Sequence, residues 1–361
     1  MIKQLDLCGI SMVLVILLIS CESEKSVDKY HKHFTEEDIT EKVFLESKKY
    51  YFEELKRPMR IHLIGDHLIV GEHTRIDIGY PPLHIINTRN WQYEMSKGVR
   101  GLGPGEISSA FILDDGFEEN SFWVYSGRSK RFSEFYTNDS IKLSHHQIKQ
   151  DGNFYMAISM IWASDSTLMC RMANDKNRFV EFNINGERVN EFGEWRTMPL
   201  AKRLNNYMMA DFYKGWLKGN KQKGVYVLAC FRKDQLEILN RNSGETIFVE
   251  GPEQNIPKFK IINNGKGGQK IIINSDEPHR YRDVFVGDKY IYGLYCGRTN
   301  KEINSTGLNA TEVFVFDFEG NILRSLSLDR SIQNLVVDEK EHKLYGTTTD
   351  EDPGIAVFEL P

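Results

Sequence analysis

The sequence predicts an all-β protein: a six-bladed β-propeller of four-stranded blades, its ring closed by an N-terminal strand. Three observations carry this expectation. Beyond Leu55 the apolar segments are short and rich in β-branched and aromatic residues, as in Phe122-Trp123-Val124-Tyr125 and Val225-Tyr226-Val227-Leu228, with Gly, Asn and Asp turns between them. Strand-plus-turn units recur: Arg131-Phe132-Ser133-Glu134-Phe135 is matched about 47 residues later by Arg178-Phe179-Val180-Glu181-Phe182, a spacing suited to propeller blades. The sixth unit stops after its third strand, which leaves an outer strand to be supplied from elsewhere in the chain.

Residues 1–20 read as a signal peptide, because Ile10 to Ile19 is an apolar run of about ten residues, too short to span a bilayer. The run ends in Leu18-Ile19-Ser20-Cys21, which resembles the lipobox of bacterial lipoproteins. That resemblance implies cleavage before Cys21 and a diacylglycerol lipid on its sulfur. Residues 21–37 are charged and lack apolar periodicity, so they read as a flexible tether. The propeller then occupies 38–361. Lys42-Val43-Phe44-Leu45 through Phe52 is placed to close the ring, with a helix over 40–55 as the alternative.

The repeats divide the chain into blades over 60–100, 107–147, 155–195, 206–250, 256–328 and 331–361 plus the N-terminal strand. The fifth is overlong, with polar insertions at 263–268 and 300–309 that read as surface loops. Composition suits a folded domain, 40% hydrophobic and 27% charged, and a formal net charge of −5 gives no reason to expect nucleic acid. Cys170, Cys230 and Cys296 lack metal-ligand spacing and read as small buried residues, with a bridge between two of them left open.

Nothing in the chain spells a Gly-x-Ser-x-Gly elbow, a His-Glu-x-x-His helix or a Walker loop, so no catalytic residue is assigned. His145 and His146 are neighbours on a strand and so point to opposite faces, which makes them poor joint ligands. Asp114, Asp115, Asp283 and Asp350 read as surface turns, not as a calcium loop. No metal or cofactor beyond the lipid on Cys21 is expected.

One pattern does point to a site. In a four-stranded blade the loops between second and third strands gather at one mouth of the channel, and here they repeatedly carry arginine: Arg75, Arg128, Arg171, Arg232 and Arg298. Tyr125 and Tyr295 stand nearby, each within the spelling Tyr-x-Gly-Arg. Guanidinium groups bind carboxylates bidentately and aromatic faces stack on rings, so these residues form a candidate funnel for an acidic sugar, a carboxylate or a peptide terminus.

Between the first two blades lies Arg100-Gly101-Leu102-Gly103-Pro104-Gly105-Glu106, a structural turn, and Gly193-Glu194 and Gly251-Pro252-Glu253 stand at equivalent places later. With the repeats and the lipobox, this turn resembles the TolB-like six-bladed propeller lipoproteins of Bacteroidetes. The resemblance implies the propeller fold and an outer-membrane location, on the periplasmic side or the cell surface, and it implies no activity. The functional expectation is a lipid-anchored, non-catalytic module of the cell envelope that binds a small ligand or an envelope protein. The alternatives are a propeller enzyme of the metal-dependent lactonase or lyase type and a structural subunit of an envelope complex.

Overall fold

The computed structural model describes residues 30–361 except Ile78, Asp151, Lys266 and Gly267; the expected signal peptide and Cys21 lie outside the described residues. Strands follow one another outward in antiparallel meanders. Blade one runs from Pro58–Ile64 inside to Gln92–Lys97 outside, and blade two from Ile112–Asp115 to His146–Lys149. Blade three runs from Ala157–Trp162 to Arg188–Glu194, and blade four from Gly215–Asn220 to Thr246–Glu250. Blade five starts at His279–Val286, and the long strand Ile322–Asp338 ends it and then becomes the inner strand of blade six.

The second strands explain the apolar runs in the sequence. Side chains alternate across a strand, and each second strand lies between two neighbouring blades, so both of its faces are buried. Along Val225–Cys230, Val225, Val227 and Ala229 pack toward blade five, whereas Tyr226, Leu228 and Cys230 pack toward blade three. The buried apolar residues accordingly fall into six clusters, one for each pair of adjacent blades. Burying apolar surface at about 25 cal/mol per Å² is the main force holding the sheets face to face.

The N-terminal segment does more than the single strand expected of it. His31–His33 adds a fifth strand, in parallel, to the outside of blade four. Glu41–Leu45 runs parallel along the outer strand of blade five. Ser47–Tyr51 then pairs antiparallel with Gly354–Glu359 and supplies the outer strand of blade six. The tether expected over 21–37 therefore ends sooner: Phe34 is buried between blades four and five, edge-on to Phe314 and Phe316. A three-residue strand paired only through its backbone leaves little trace in composition. The helix considered over 40–55 is absent from that stretch.

Other boundaries shift for similar local reasons. Blade four begins at Gly215, because 206–212 is a short helix whose N-cap, Asn205, accepts a hydrogen bond from the Met208 amide at 2.9 Å. Phe259–Asn263 and Gln269–Ile273, on either side of the insertion expected at 263–268, pair as antiparallel strands. Residues 300–306, expected as loop, form a helix because Thr299 and Glu302 make a capping box and Gly307 ends it at φ 73°. The three cysteines are buried and free.

The glycine-rich turn between blades one and two is built around Pro104 and Gly105. The Glu106 amide donates to the Gly103 carbonyl at 3.2 Å, and Gly105 has φ +73°, the pattern of a type II turn with proline at its second position. The Glu106 carboxylate folds back to accept the Gly103 amide at 2.7 Å, in space that a side chain at Gly101 would occupy. Gln147 of blade two clasps the turn by accepting from the Gly105 amide and donating to the Glu106 carbonyl, both at 3.0 Å.

Blades three and four are also joined by buried charge. Arg171 and Arg178 of blade three meet a single carboxylate, Glu237 of blade four, all three shut off from solvent. Glu181, which pairs with Glu134 in the sequence repeat, accepts both forks of Arg241 from the next blade at 2.7 and 2.9 Å. Removing one member of a buried ion group strands the others in low dielectric. Glu237→Ala is therefore expected to lower unfolding free energy by about 3–5 kcal/mol, read by urea denaturation. The triple change Arg171→Met, Glu237→Leu, Arg178→Met should recover most of that loss.

Candidate functional site

The inner strands line the channel, and two cavities open at its ends. The upper one, of about 530 Å³, lies where the inner strands begin, with Phe231 and Arg232 from the loop between the second and third strands of blade four at its wall. The lower one, of about 580 Å³, lies where the inner strands end. Lys218, near the middle of its strand, lines both.

The upper mouth is cationic and aromatic. Arg60 from blade one lies over the Trp216 ring of blade four, 4.6 Å from its centroid, and its Nε donates to the Phe111 carbonyl of blade two at 3.0 Å. Trp216 is oriented by its own indole N–H, which donates to the Tyr281 carbonyl at 3.2 Å. Arg232 extends from its loop with one amino group on the Glu277 carbonyl at 2.7 Å. Across the Phe231 ring stands Arg282, and both guanidinium carbons lie within 5.5 Å of that ring's centroid. Lys214 and Arg171 complete the cationic lining, against which stand two carboxylates, Asp211 and Asp283.

These charges are not fully offset. Burial lowers the pKa of Arg60, Arg232 and Arg282 from the ordinary arginine value, and Arg232 pushes that of Arg282 down further. All three remain cations at neutral pH. His279, 4.2 Å from Phe231 ring to ring, is pushed down to about 4 by burial and then by Arg232 and Arg282. It is thus neutral, and its Nδ1 accepts from Arg282 at 2.8 Å. The Nε atoms of Arg171 and Arg282 are buried with no hydrogen-bond partner among the described residues. Asp283 is held by the amides of Val284 and Leu335 at 3.0 and 3.3 Å.

Of the residues singled out in the sequence, Arg171 and Arg232 line this mouth. Arg75 and Arg128 are exposed and do not line it. Arg298 is turned onto the Asn309 carbonyl at 2.7 Å and the Thr311 hydroxyl at 3.2 Å. Tyr125 is buried on Gln150, and Tyr295 is buried between Arg280 and Asp234. Arg60, Lys214, Lys218 and Arg282 escaped a search confined to the loops between second and third strands. A charged residue interrupting an apolar inner strand was the signal that could have found Arg60, Lys218 and Arg282.

The lower mouth has the opposite character. Seven carboxylates and three lysines line it, with His62 bonded to Asp115 at 2.9 Å. Asp114 and Asp283, expected in surface turns, sit instead on inner strands, whose side chains line the channel. Asp350 is a rim residue, paired with Lys49 at 2.9 Å and Arg330 at 3.1 Å. His146 is on the outer strand of blade two, while His145 bonds Asp139 at 2.7 Å. Among the described residues no group of three or more His, Cys, Asp or Glu is placed to hold a metal ion.

A family model described as TolB-like 6-blade propeller-like matches residues 33–340. Solved structures are similar in fold. A member of the DUF4221 family from Bacteroides vulgatus superposes with a TM-score of 0.54 at 10% identity, over 87% of this chain and 97% of that one. A protein from Bacteroides fragilis described as exported gives 0.53 at 8% identity, over 91% and 98%. No curated protein matches the chain.

The lower mouth makes stability depend on pH. Burial, and then the charge on Asp115, raises the carboxyl of Asp114 to about 6, above an unfolded value of about 3.9. The folded state thus holds this proton more tightly, so the contribution is full below the unfolded value and is lost as pH rises through the folded one. Between pH 4 and 7 the loss is up to about 3 kcal/mol. Asp114→Asn should abolish it, so urea unfolding at pH 4 and 7 should show a smaller decline in the variant than in the parent.

Proposed function

The chain belongs to the TolB-like 6-blade propeller family, and we propose that it is a non-catalytic binding module whose upper channel mouth takes an anionic ligand. The observation that carries this reading is the convergence of Arg60, Lys214, Lys218 and Arg232 on a cavity of about 530 Å³ beside Trp216 and Phe231. That volume lies within the range of small-molecule sites. Cations from blades one and four, with only two carboxylates among the described side chains that line the cavity, favour an anion by Coulomb attraction in a partly desolvated site. Aromatic faces add contact area for whatever carries the charge. Acidic sugars, carboxylates and peptide termini all meet these requirements.

The proposal extends to location. The lipobox-like sequence before Cys21 supports a lipid anchor on that residue and attachment of the domain to the outer membrane, in keeping with the export named for the Bacteroides fragilis neighbour. Radiolabelled fatty acid fed to expressing cells should enter the parent protein and not Cys21→Ala; label retained by the variant would overturn the anchor.

Calorimetric titration with uronates and simple carboxylates at low salt tests the mouth. Losing one charge-assisted hydrogen bond costs about 1.5–3 kcal/mol, so Arg232→Ala should weaken binding by tenfold or more. Arg128→Ala, on an exposed loop of blade two, should leave affinity unchanged. Equal binding by the two variants would remove the upper mouth as the anion site.

A further inference from the structure

We infer that the ligand of the upper mouth is a carboxylate borne on an apolar body, such as an arylalkanoic acid or the C-terminal residue of a peptide, and not a sugar acid. The inference rests on the anion-binding reading above and narrows it.

The argument turns on what the mouth lacks. A pyranose acid brings several hydroxyls besides its carboxylate, and each hydroxyl taken from water needs a partner or costs about 1–3 kcal/mol. A site for such rings therefore needs both donors and acceptors spread around them. Among the side chains lining this cavity the hydroxyls are Ser159 and Tyr213. Tyr213 is buried, with Trp195 against its ring and Arg178 over it. The indole N–H of Trp216 is already bonded to the Tyr281 carbonyl. Among the described residues no asparagine or glutamine lines the cavity. Asp283 is already held by two amides, so few groups, chiefly Ser159 and Asp211, are left for a sugar's ring hydroxyls.

What the mouth does offer is apolar wall and cation together. Phe111, Ile158, Leu217, Leu228 and Ile273 line it. Ile158 and Phe111 are 41% and 38% exposed, large apolar groups left facing solvent at the rim of a cavity. An apolar ligand body would cover them at about 25 cal/mol per Å² of surface removed from water. The charged end has its partners in Arg60 and Arg232, which reach the cavity from different blades. Guanidinium donors bind a planar carboxylate through paired hydrogen bonds, and an anion with an apolar body satisfies both halves of the lining at once.

Titration of the full chain with 3-phenylpropionate, its methyl ester, glucuronate, and the peptide Gly-Leu-Phe as free acid and as amide tests this. We expect the phenyl acid, the free-acid peptide or both to bind at least tenfold more tightly than glucuronate. The ester and the amide should bind at least tenfold more weakly than their acids. The relative strength of phenylpropionate and peptide distinguishes a small free acid from a peptide terminus. Ile158→Ser changes an exposed side chain; it should weaken the apolar acids several-fold and leave glucuronate unaffected. Glucuronate binding as tightly as the apolar acids would overturn the inference while leaving the anion-binding reading intact. Binding of the ester and amide as tight as the acids, or no binding by any carboxylate, would overturn both.

Discussion

The antiparallel ladder between Ser47–Tyr51 and Gly354–Glu359 joins the two ends of the described chain, and the rest of the architecture depends on it. Without it blade six would keep three strands and present an unpaired edge, an invitation to pair with another chain. The contacts that accompany it reach both neighbours. Tyr50 stacks on Trp91 of blade one at 3.9 Å, while the Ser47 amide donates to Asp329 at the bend between blades five and six. Because the channel mouths are assembled from the inner strands of several blades, their geometry exists only while the circle is held shut.

Within that circle, charge is sorted by position. Between blades three and four it is locked away in the Arg171–Glu237–Arg178 group. Between blades five and six, Glu339 accepts the amides of Asp288, Lys289 and Tyr290, so a carboxylate at one blade orders the turn of its neighbour. Along the axis the sorting differs: a cationic upper mouth and an acidic lower one are separated by Lys218, and burial holds the Asp283 carboxyl above the usual carboxylate range against the opposing charges of Lys218 and Arg60. Opposed mouths of opposite sign give the channel an axial field that draws anions to one end and cations to the other.

Much of this was legible in the sequence, for identifiable reasons. A second strand packed on both faces is mostly apolar, so Phe122-Trp123-Val124-Tyr125 and Val225–Cys230 announced themselves, and the repeat of turn residues gave the blade count. Gly101 and Gly105 signalled a turn whose backbone needs space or a positive φ. The N-terminal strands were less legible because parallel pairing on an outer edge demands backbone groups and little else; Glu41 and Lys42 look like linker residues and are strand residues. At the mouth, arginine spacing identified Arg171 and Arg232 but also Arg75 and Arg128, since the reach of a loop residue depends on loop length and blade twist. Arg298 was diverted by the carbonyl of Asn309, a partner that only the fold brings near.

The way residues 30–51 are laid down has a mechanical consequence. Going inward from residue 30, the chain is fastened to blade four, then to blade five, and only then forms the strand on blade six. Phe34, Ile39 and Leu45 are buried along this path like studs between the ladders. Traction applied at the N-terminus therefore meets the three-residue pairing of His31–His33 and the socket of Phe34 first, and those can yield one after another. The closing strand is the last of the three pairings to feel the load, so the ring, and the mouth at its centre, stand behind two outer fastenings.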